Sequence, residues 1–149
     1  MANITGSGQI AGTSASDSIE GSSGADYIYG YAGNDSIYAG DGADNVEGGA
    51  GRDLVYGDGG NDTLYGEADN DTIYGGDGDD EIHGGLGSDL IYGGEGNDTL
   101  YGDETVNSGT RDTMIGGNGD DVYYVDHSED VVTEEANGGN DTLILCCNF

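Results

Sequence analysis

The sequence contains almost no basic residues. Two Lys and Arg residues stand against 31 Asp and Glu residues, so the formal net charge is -29. We expect no nucleic acid and no anionic membrane surface as a partner, because nothing in the chain could neutralise their phosphates. Proline is absent, and no apolar run is long enough to span a bilayer. The first residues lack the basic and apolar regions of a cleaved signal peptide.

Motifs that are typical of enzymes are also missing. The sequence has no H-E-x-x-H, no G-x-S-x-G and no phosphate-binding loop. Its only histidines, His83 and His127, are far apart in the chain. We therefore predict that the chain is not an enzyme and has no catalytic residues.

Cysteine is limited to the adjacent pair Cys146 and Cys147. Adjacent cysteines rarely form a disulfide with each other, because the ring is strained. An intermolecular disulfide stays open, but we prefer two small apolar residues that are buried in a last strand.

Glycine and aspartate, in contrast, recur with a strict period. The chain has 32 glycines, and ten consecutive blocks of nine residues fill residues 12–101. Each block has an aspartate at position 6 and an aliphatic residue at position 8, a pattern typical of stacked repeat units. The aspartates are Asp17, Asp26, Asp35, Asp44, Asp53, Asp62, Asp71, Asp80, Asp89 and Asp98, and the aliphatic residues are Ile19, Ile28, Ile37, Val46, Val55, Leu64, Ile73, Ile82, Ile91 and Leu100.

The blocks fit the pattern G-G-x-G-x-D-x-U-x, in which U is aliphatic, and residues 48–56 and 93–101 fit it fully. In these motifs the chain resembles the repeats-in-toxin (RTX) family of haemolysin-type calcium-binding repeats. The resemblance implies an all-β fold, a right-handed parallel β-roll with 18 residues per coil and two short parallel sheets. It also implies a thin core filled by position 8, calcium held by aspartates and backbone carbonyls, and export by type I machinery.

A coil of 18 residues sorts the aspartates into two columns. One contains Asp17, Asp35, Asp53, Asp71 and Asp89, and the other Asp26, Asp44, Asp62, Asp80 and Asp98. Neighbours in a column should lie about one strand spacing apart, roughly 4.8 Å, where their charges repel each other. We expect a calcium ion between each pair, because irregular, carbonyl-rich loops suit calcium better than magnesium.

Some blocks depart from the pattern, and there we expect weaker binding or an adjusted backbone. The departures are Ala39 at position 1, Tyr31, Asp58 and Glu67 at position 2, and Ala15 and Asp69 at position 4. Before the first block, Ile10 keeps the apolar register but Gly8 stands in the place of the aspartate. Residues 1–11 are therefore predicted to form an N-terminal cap coil without a full calcium site.

After residue 101 the register is interrupted by five extra residues, which predict a loop around residues 105–109. The pattern then resumes irregularly, provided that Glu134 and Glu135 form a bulge. Residues 102–149 are read as irregular repeats with a C-terminal cap, and residues 1–149 as a single β-roll domain binding about eight to twelve calcium ions. The additional candidate ligands are Asp112 and Asp130 in the first column and Asp121 and Asp141 in the second.

Tyrosines occupy many outward positions 9. One sheet should carry an unbroken ladder, whereas the other should alternate. Aromatic ladders of this kind stabilise stacked strands, but a flat aromatic strip could also bind a glycan, a surface partner or another copy of the chain. The first set is Tyr38, Tyr56, Tyr74 and Tyr92, and the second is Tyr29, Glu47, Tyr65, His83 and Tyr101.

Two hypotheses for function follow. The first is a secreted structural protein, outside the cell or on its surface, that folds on binding calcium and associates end to end or side by side. The second is a calcium-gated folding and export module of a larger type I secreted adhesin or enzyme. The start at Met1 favours the first. The apolar residues 143–149 could belong to an export signal, but we favour a last strand.

Overall fold

The computed structural model describes residues 2–103, 110–134 and 138–146. Over these ranges the chain forms strands and no helix, and thus no helix able to cross a membrane. The strands are β1 Asn3–Thr5, β2 Gln9–Ala11, β3 Ser18–Ser22, β4 Tyr27–Tyr29, β5 Ser36–Asp41, β6 Asn45–Ala50, β7 Leu54–Gly59, β8 Thr63–Ala68, β9 Thr72–Asp77, β10 Glu81–Leu86, β11 Leu90–Glu95, β12 Thr99–Tyr101, β13 Thr113–Asn118, β14 Val122–Val125, β15 Val131–Thr133 and β16 Thr142–Leu145.

Successive strands alternate between two parallel sheets of eight strands. The odd-numbered strands form one sheet from β1 to β15, and the even-numbered strands form the other from β2 to β16. Within a sheet, neighbouring position-8 residues pair directly, as Val46 does with Leu64 and Leu64 with Ile82. The predicted parallel β-roll of 18-residue coils is therefore confirmed.

The core between the sheets is one side chain thick on each side. Position 8 of all ten regular blocks is fully buried, as are Met114 and Tyr123 in the later coils. At the two ends, Ile4 and Val132 pack against this core and are partly buried. Each strand thus contributes little apolar area, and the fold depends on the stacking of neighbouring coils.

The regular strands are longer than the three residues expected from positions 7–9. β7, Leu54–Gly59, continues through positions 1 to 3 of the next block, and most of its neighbours do the same. Position 2 has a positive φ in many of these strands, a conformation that favours glycine. Four of the departures from the motif keep that conformation instead of adjusting: Tyr31 (φ 74°), Asp58 (71°), Glu67 (81°) and Asp69 (75°).

The register changes occur where the sequence places them. Asp89 and Asp112, in neighbouring coils, are separated by 23 residues, and Asp121 and Asp141 by 20. The five-residue insertion and the two-residue bulge are thus confirmed as changes of register, although residues 105–109 and Glu135 lie outside the described residues. The first coil is shorter than expected, because Asn3 pairs with Ser18.

The C-terminal end of the roll leaves apolar side chains uncovered. Leu143 and Leu145 lie on the last strand and are each 55% exposed, since no further coil covers them. Cys146 follows that strand and is exposed. The prediction of a buried cysteine in the last strand is therefore wrong for Cys146, because the core ends one coil earlier. Cys147 lies outside the described residues.

Candidate metal centre

The structure brings the fourteen predicted aspartates into two columns linked by hydrogen bonds. In each column the backbone N–H of one aspartate donates to Oδ1 of the aspartate in the next coil, at 2.7–3.1 Å. Both columns continue through the irregular C-terminal repeats. The first runs through Asp17, Asp35, Asp53, Asp71, Asp89, Asp112 and Asp130, and the second through Asp26, Asp44, Asp62, Asp80, Asp98, Asp121 and Asp141.

The first coil completes both columns with donors alone. The backbone N–H of Ala2 donates to Oδ1 of Asp17, at 2.8 Å, and that of Gly8 donates to Oδ1 of Asp26. Gly8 stands in the place of an aspartate, as the sequence predicts. This coil therefore holds the first two carboxylates but adds none of its own.

The second carboxylate oxygen has a different environment along most of each column. In ten aspartates Oδ2 is buried and has no hydrogen-bond partner in the described parts of the chain. A buried polar atom without a partner costs about 1–3 kcal/mol, and more when it is charged. A repeated cost of this kind indicates a missing cation. The ten are Asp35, Asp44, Asp53, Asp62, Asp71, Asp80, Asp89, Asp98, Asp112 and Asp121.

The glycine at position 1 leaves a small space beside each such oxygen. A Cβ atom added to Gly57 would lie 2.5 Å from Oδ2 of Asp62 and 2.5 Å from the carbonyl oxygen of Gly75 in the next coil. A carboxylate oxygen and a backbone carbonyl oxygen therefore border the same space, and a side chain at position 1 would fill it. Oxygen ligands of these two kinds suit calcium. Ala39 is the exception at position 1 in the regular blocks, and it is buried.

Burial raises the pKa of these carboxyl groups. The pKa is raised to about 6 at Asp53, and neighbouring carboxylates add to the effect of burial. It reaches about 7 at Asp80 and about 8 at Asp71 and Asp112. The hydrogen bond from the preceding backbone N–H opposes these shifts only in part. The ionised columns are thus unfavourable without a compensating positive charge.

The first aspartate of each column is satisfied without a metal, a feature that the sequence analysis missed. The Thr13 hydroxyl donates to Oδ2 of Asp17 at 2.7 Å, and the Ser22 hydroxyl donates to Oδ2 of Asp26 at 2.9 Å. The Thr13 hydroxyl is the main cause of a lowered pKa at Asp17. At Asp26 burial is the largest single effect and raises the pKa, but hydrogen bonds from Ser22 and Gly8 outweigh it. A hydroxyl at position 2 is the signal that identifies these caps.

The last aspartate of each column is less buried than those before it. Asp130 accepts hydrogen bonds from the backbone N–H groups of Asp112 and His127, and Asp141 is exposed. Near Asp141, the Tyr123 hydroxyl donates to Glu134. Carboxylate oxygens of Asp121, Glu134 and Asp141 all lie within 4.8 Å of one another. The second column therefore ends in an acidic cluster, which position 6 alone does not indicate.

Outside the columns, the outward aromatic side chains form two stacked ladders. The rings of Tyr38, Tyr56, Tyr74 and Tyr92 stack with centroid distances of 4.7–5.1 Å, as predicted. The second sheet does not alternate to the end, because His83 stacks between neighbouring tyrosines. This ladder consists of Tyr65, His83, Tyr101 and Tyr124, with centroid distances of 4.3–4.7 Å.

Comparison with known proteins agrees with this geometry. The family model of the RTX calcium-binding nonapeptide repeat matches four copies, at residues 11–46, 38–73, 74–105 and 108–126. A comparison with curated proteins gave no match. The repeat matches cover most of the chain and include both aspartate columns from Asp17 to Asp121. The chain therefore belongs to the RTX calcium-binding nonapeptide repeat family, and it folds as a calcium-binding β-roll.

Proposed function

We propose that this chain is a secreted structural protein that folds when it binds calcium outside the cell. The observation that carries the proposal is the set of ten buried Oδ2 atoms without a hydrogen-bond partner among the described residues. RTX repeats are typical of secreted proteins. The low calcium concentration of the cytosol would keep the chain unfolded for export, and the higher concentration outside would fold it.

The energetics support a fold that needs its metal. Each strand buries one aliphatic side chain at position 8, which is a small gain against the entropy of ordering a coil that is rich in glycine. The buried columns add repulsion, because neighbouring carboxylates are linked coil to coil. Metal binding removes this repulsion, so its free energy becomes free energy of folding.

We assign the calcium ligands to the fourteen aspartates of the columns together with backbone carbonyls. The ten aspartates whose Oδ2 has no hydrogen-bond partner in the described parts are the strongest candidates. Asp17 and Asp26 contribute less, because the hydroxyls of Thr13 and Ser22 already occupy their Oδ2 atoms. We expect about eight to twelve ions in the folded chain.

Circular dichroism in calcium-free buffer and after calcium addition tests this function. We expect a coil spectrum without metal and a cooperative change to β-structure at about millimolar calcium. An equal concentration of magnesium should be much less effective. A β-spectrum that persists at neutral pH in excess chelator would contradict the proposal.

The structural role extends to assembly of copies end to end. One end of the roll has the edge strands β1 and β2, and the other has β15 and β16. The exposed Leu143 and Leu145 add an apolar surface at the second end. A contact between opposite ends does not close on itself, so it leads to filaments. Since Gly8 replaces an aspartate in the first coil, strand pairing and apolar contact would carry the junction.

The alternative is that the chain serves as a calcium-gated folding and export module of a larger adhesin or enzyme. The same columns would serve both roles, so calcium-dependent folding does not distinguish them. Light scattering does: a protein that stays monomeric in millimolar calcium at high concentration supports the module, whereas growing particles support the filament.

A further inference from the structure

Three buried carboxylates meet beside the first column near its C-terminal end. They belong to Asp103, Asp112 and Asp126, which are 7%, 0% and 3% exposed. One oxygen of each lies within 4.8 Å of one oxygen of each of the others. Asp112 occupies position 6 of its repeat, whereas Asp103 and Asp126 occupy position 2 of two successive repeats in this column. We name these three residues the Asp112 cluster.

Position 2 behaves differently here from the regular coils. Asp58 and Glu67 occupy the same position, have positive φ angles and are exposed. Asp103 and Asp126 are outside the positive-φ region and are buried. The change in backbone conformation thus accompanies a change in side-chain direction, from solvent to the interior of the loop.

The orientation of the cluster points to a cation. Asp112 is fully buried, its Oδ1 accepts the backbone N–H of Asp89 at 2.9 Å, and its Oδ2 has no hydrogen-bond partner in the described ranges. The Thr110 hydroxyl donates to Oδ2 of Asp103 at 2.8 Å and orients that carboxylate. Three buried carboxylates in this space need a positive charge between them.

We propose that the Asp112 cluster is a calcium site of a second class, in which Asp103 and Asp126 add two side-chain ligands that regular coils lack. The proposal rests on the calcium-binding function proposed above. In a regular coil, one carboxylate oxygen and a carbonyl oxygen of the next coil border the space. The affinity of a calcium site rises with the number of charged ligands. The cluster is therefore the tightest site of this chain.

The test compares ions bound per folded chain, by native mass spectrometry at saturating calcium. Asp103→Asn and Asp126→Asn should each lose one ion relative to the unaltered chain and raise the calcium midpoint of folding by about tenfold. Asp58→Asn is the matched control, because it removes a position-2 aspartate from a regular coil, and it should change neither value. Equal counts and midpoints in all three variants would overturn the inference.

A calcium-bound crystal structure of the unaltered chain decides the question even if the variants do not fold. We expect an ion about 2.3–2.6 Å from an oxygen of Asp103, Asp112 and Asp126. Ions in the columns without direct ligation by Asp103 and Asp126 would sink this inference and leave the proposed function intact. A chain that binds no calcium would overturn both.

Discussion

The backbone N–H of Asp62 donates a hydrogen bond to Oδ1 of Asp80, one coil further along, at 2.8 Å. Asp62 accepts the same bond from Asp44 through its own Oδ1. Its Oδ2 is left buried without a hydrogen-bond partner in the part of the chain that the structure describes. Each carboxylate thus joins two coils through one oxygen and offers the other to a metal.

Removing the charge of a column aspartate should weaken calcium binding. Asp62→Asn keeps an oxygen that can accept the Asp44 N–H, but it removes the carboxylate between two neighbours. We expect a calcium titration followed by circular dichroism to show a midpoint several-fold higher, and lower cooperativity, because the spaces shared with Asp44 and Asp80 are both affected.

Asp58→Asn is the control for this titration. Asp58 is exposed, lies outside position 6 and keeps a backbone conformation that asparagine tolerates. The control should titrate like the unaltered chain. Equal effects of the two substitutions would show that position 6 is not the ligand position.

The metal-free fold should be more stable at acid pH than at neutral pH. Burial raises the folded-state pKa to about 7 at Asp80 and about 8 at Asp71, whereas an unfolded aspartate titrates near ~3.9. The folded state therefore binds protons more tightly, and its stability falls as the pH rises from about 4 through 8. Below this window the carboxyl groups are neutral in both states.

Circular dichroism in calcium-depleted buffer at about pH 5 and pH 8 measures this dependence. We expect more β-structure at the lower pH, and a calcium affinity that decreases there because protons compete for the carboxylates. Buffers depleted by a resin are preferable to chelators, which lose affinity in acid. A metal-free chain that is more folded at pH 8 would contradict the assigned direction.

Replacing a strained residue at position 2 with glycine should stabilise the calcium-loaded roll. Glu67 has a φ of 81° and is exposed, so its side chain gains little in return for an unfavourable backbone conformation. Such a conformation costs about 1–3 kcal/mol, and glycine loses part of that gain through its larger unfolded-state entropy. Glu67→Gly should therefore raise the free energy of unfolding by about 1 kcal/mol.

Denaturant unfolding at saturating calcium measures this effect. Glu95→Gly is a suitable control, because Glu95 lies at position 3, is exposed and has no positive φ. This control should be neutral or slightly destabilising. An unchanged or lower stability of Glu67→Gly would show that the strain is relieved in solution.

A charge on the uncovered end should prevent end-to-end assembly. Leu143 is 55% exposed on the last strand, and a lysine there would place a charge against the first coil of the next copy. Leu143→Lys should remain monomeric by light scattering in millimolar calcium under conditions in which the unaltered chain grows. Circular dichroism should confirm that the variant still folds.

Tyr56→Ser is the companion variant, because Tyr56 lies in the middle of the outward ladder. Assembly that survives Leu143→Lys but is lost in Tyr56→Ser would indicate association through the side of the roll. Assembly lost only in Leu143→Lys supports the end-to-end contact.

The sequence by itself determined the coil length, the core and both aspartate columns. Even the irregular repeats follow it: Met114 pairs with Ile91 across the five-residue insertion, and Asp121 with Asp141 across the bulge. This is possible because each coil of a solenoid contacts only its neighbours at fixed spacing. A residue's position in the repeat therefore specifies its three-dimensional environment.

Only the tertiary structure decided what happens where the repeat is broken. It turns Asp103 and Asp126 toward Asp112, places the hydroxyls of Thr13 and Ser22 on the first carboxylates, and leaves Cys146 exposed. These features depend on single φ angles and on whether another coil follows. A period of nine residues contains neither, because it specifies what successive coils share and not how one coil differs from the next.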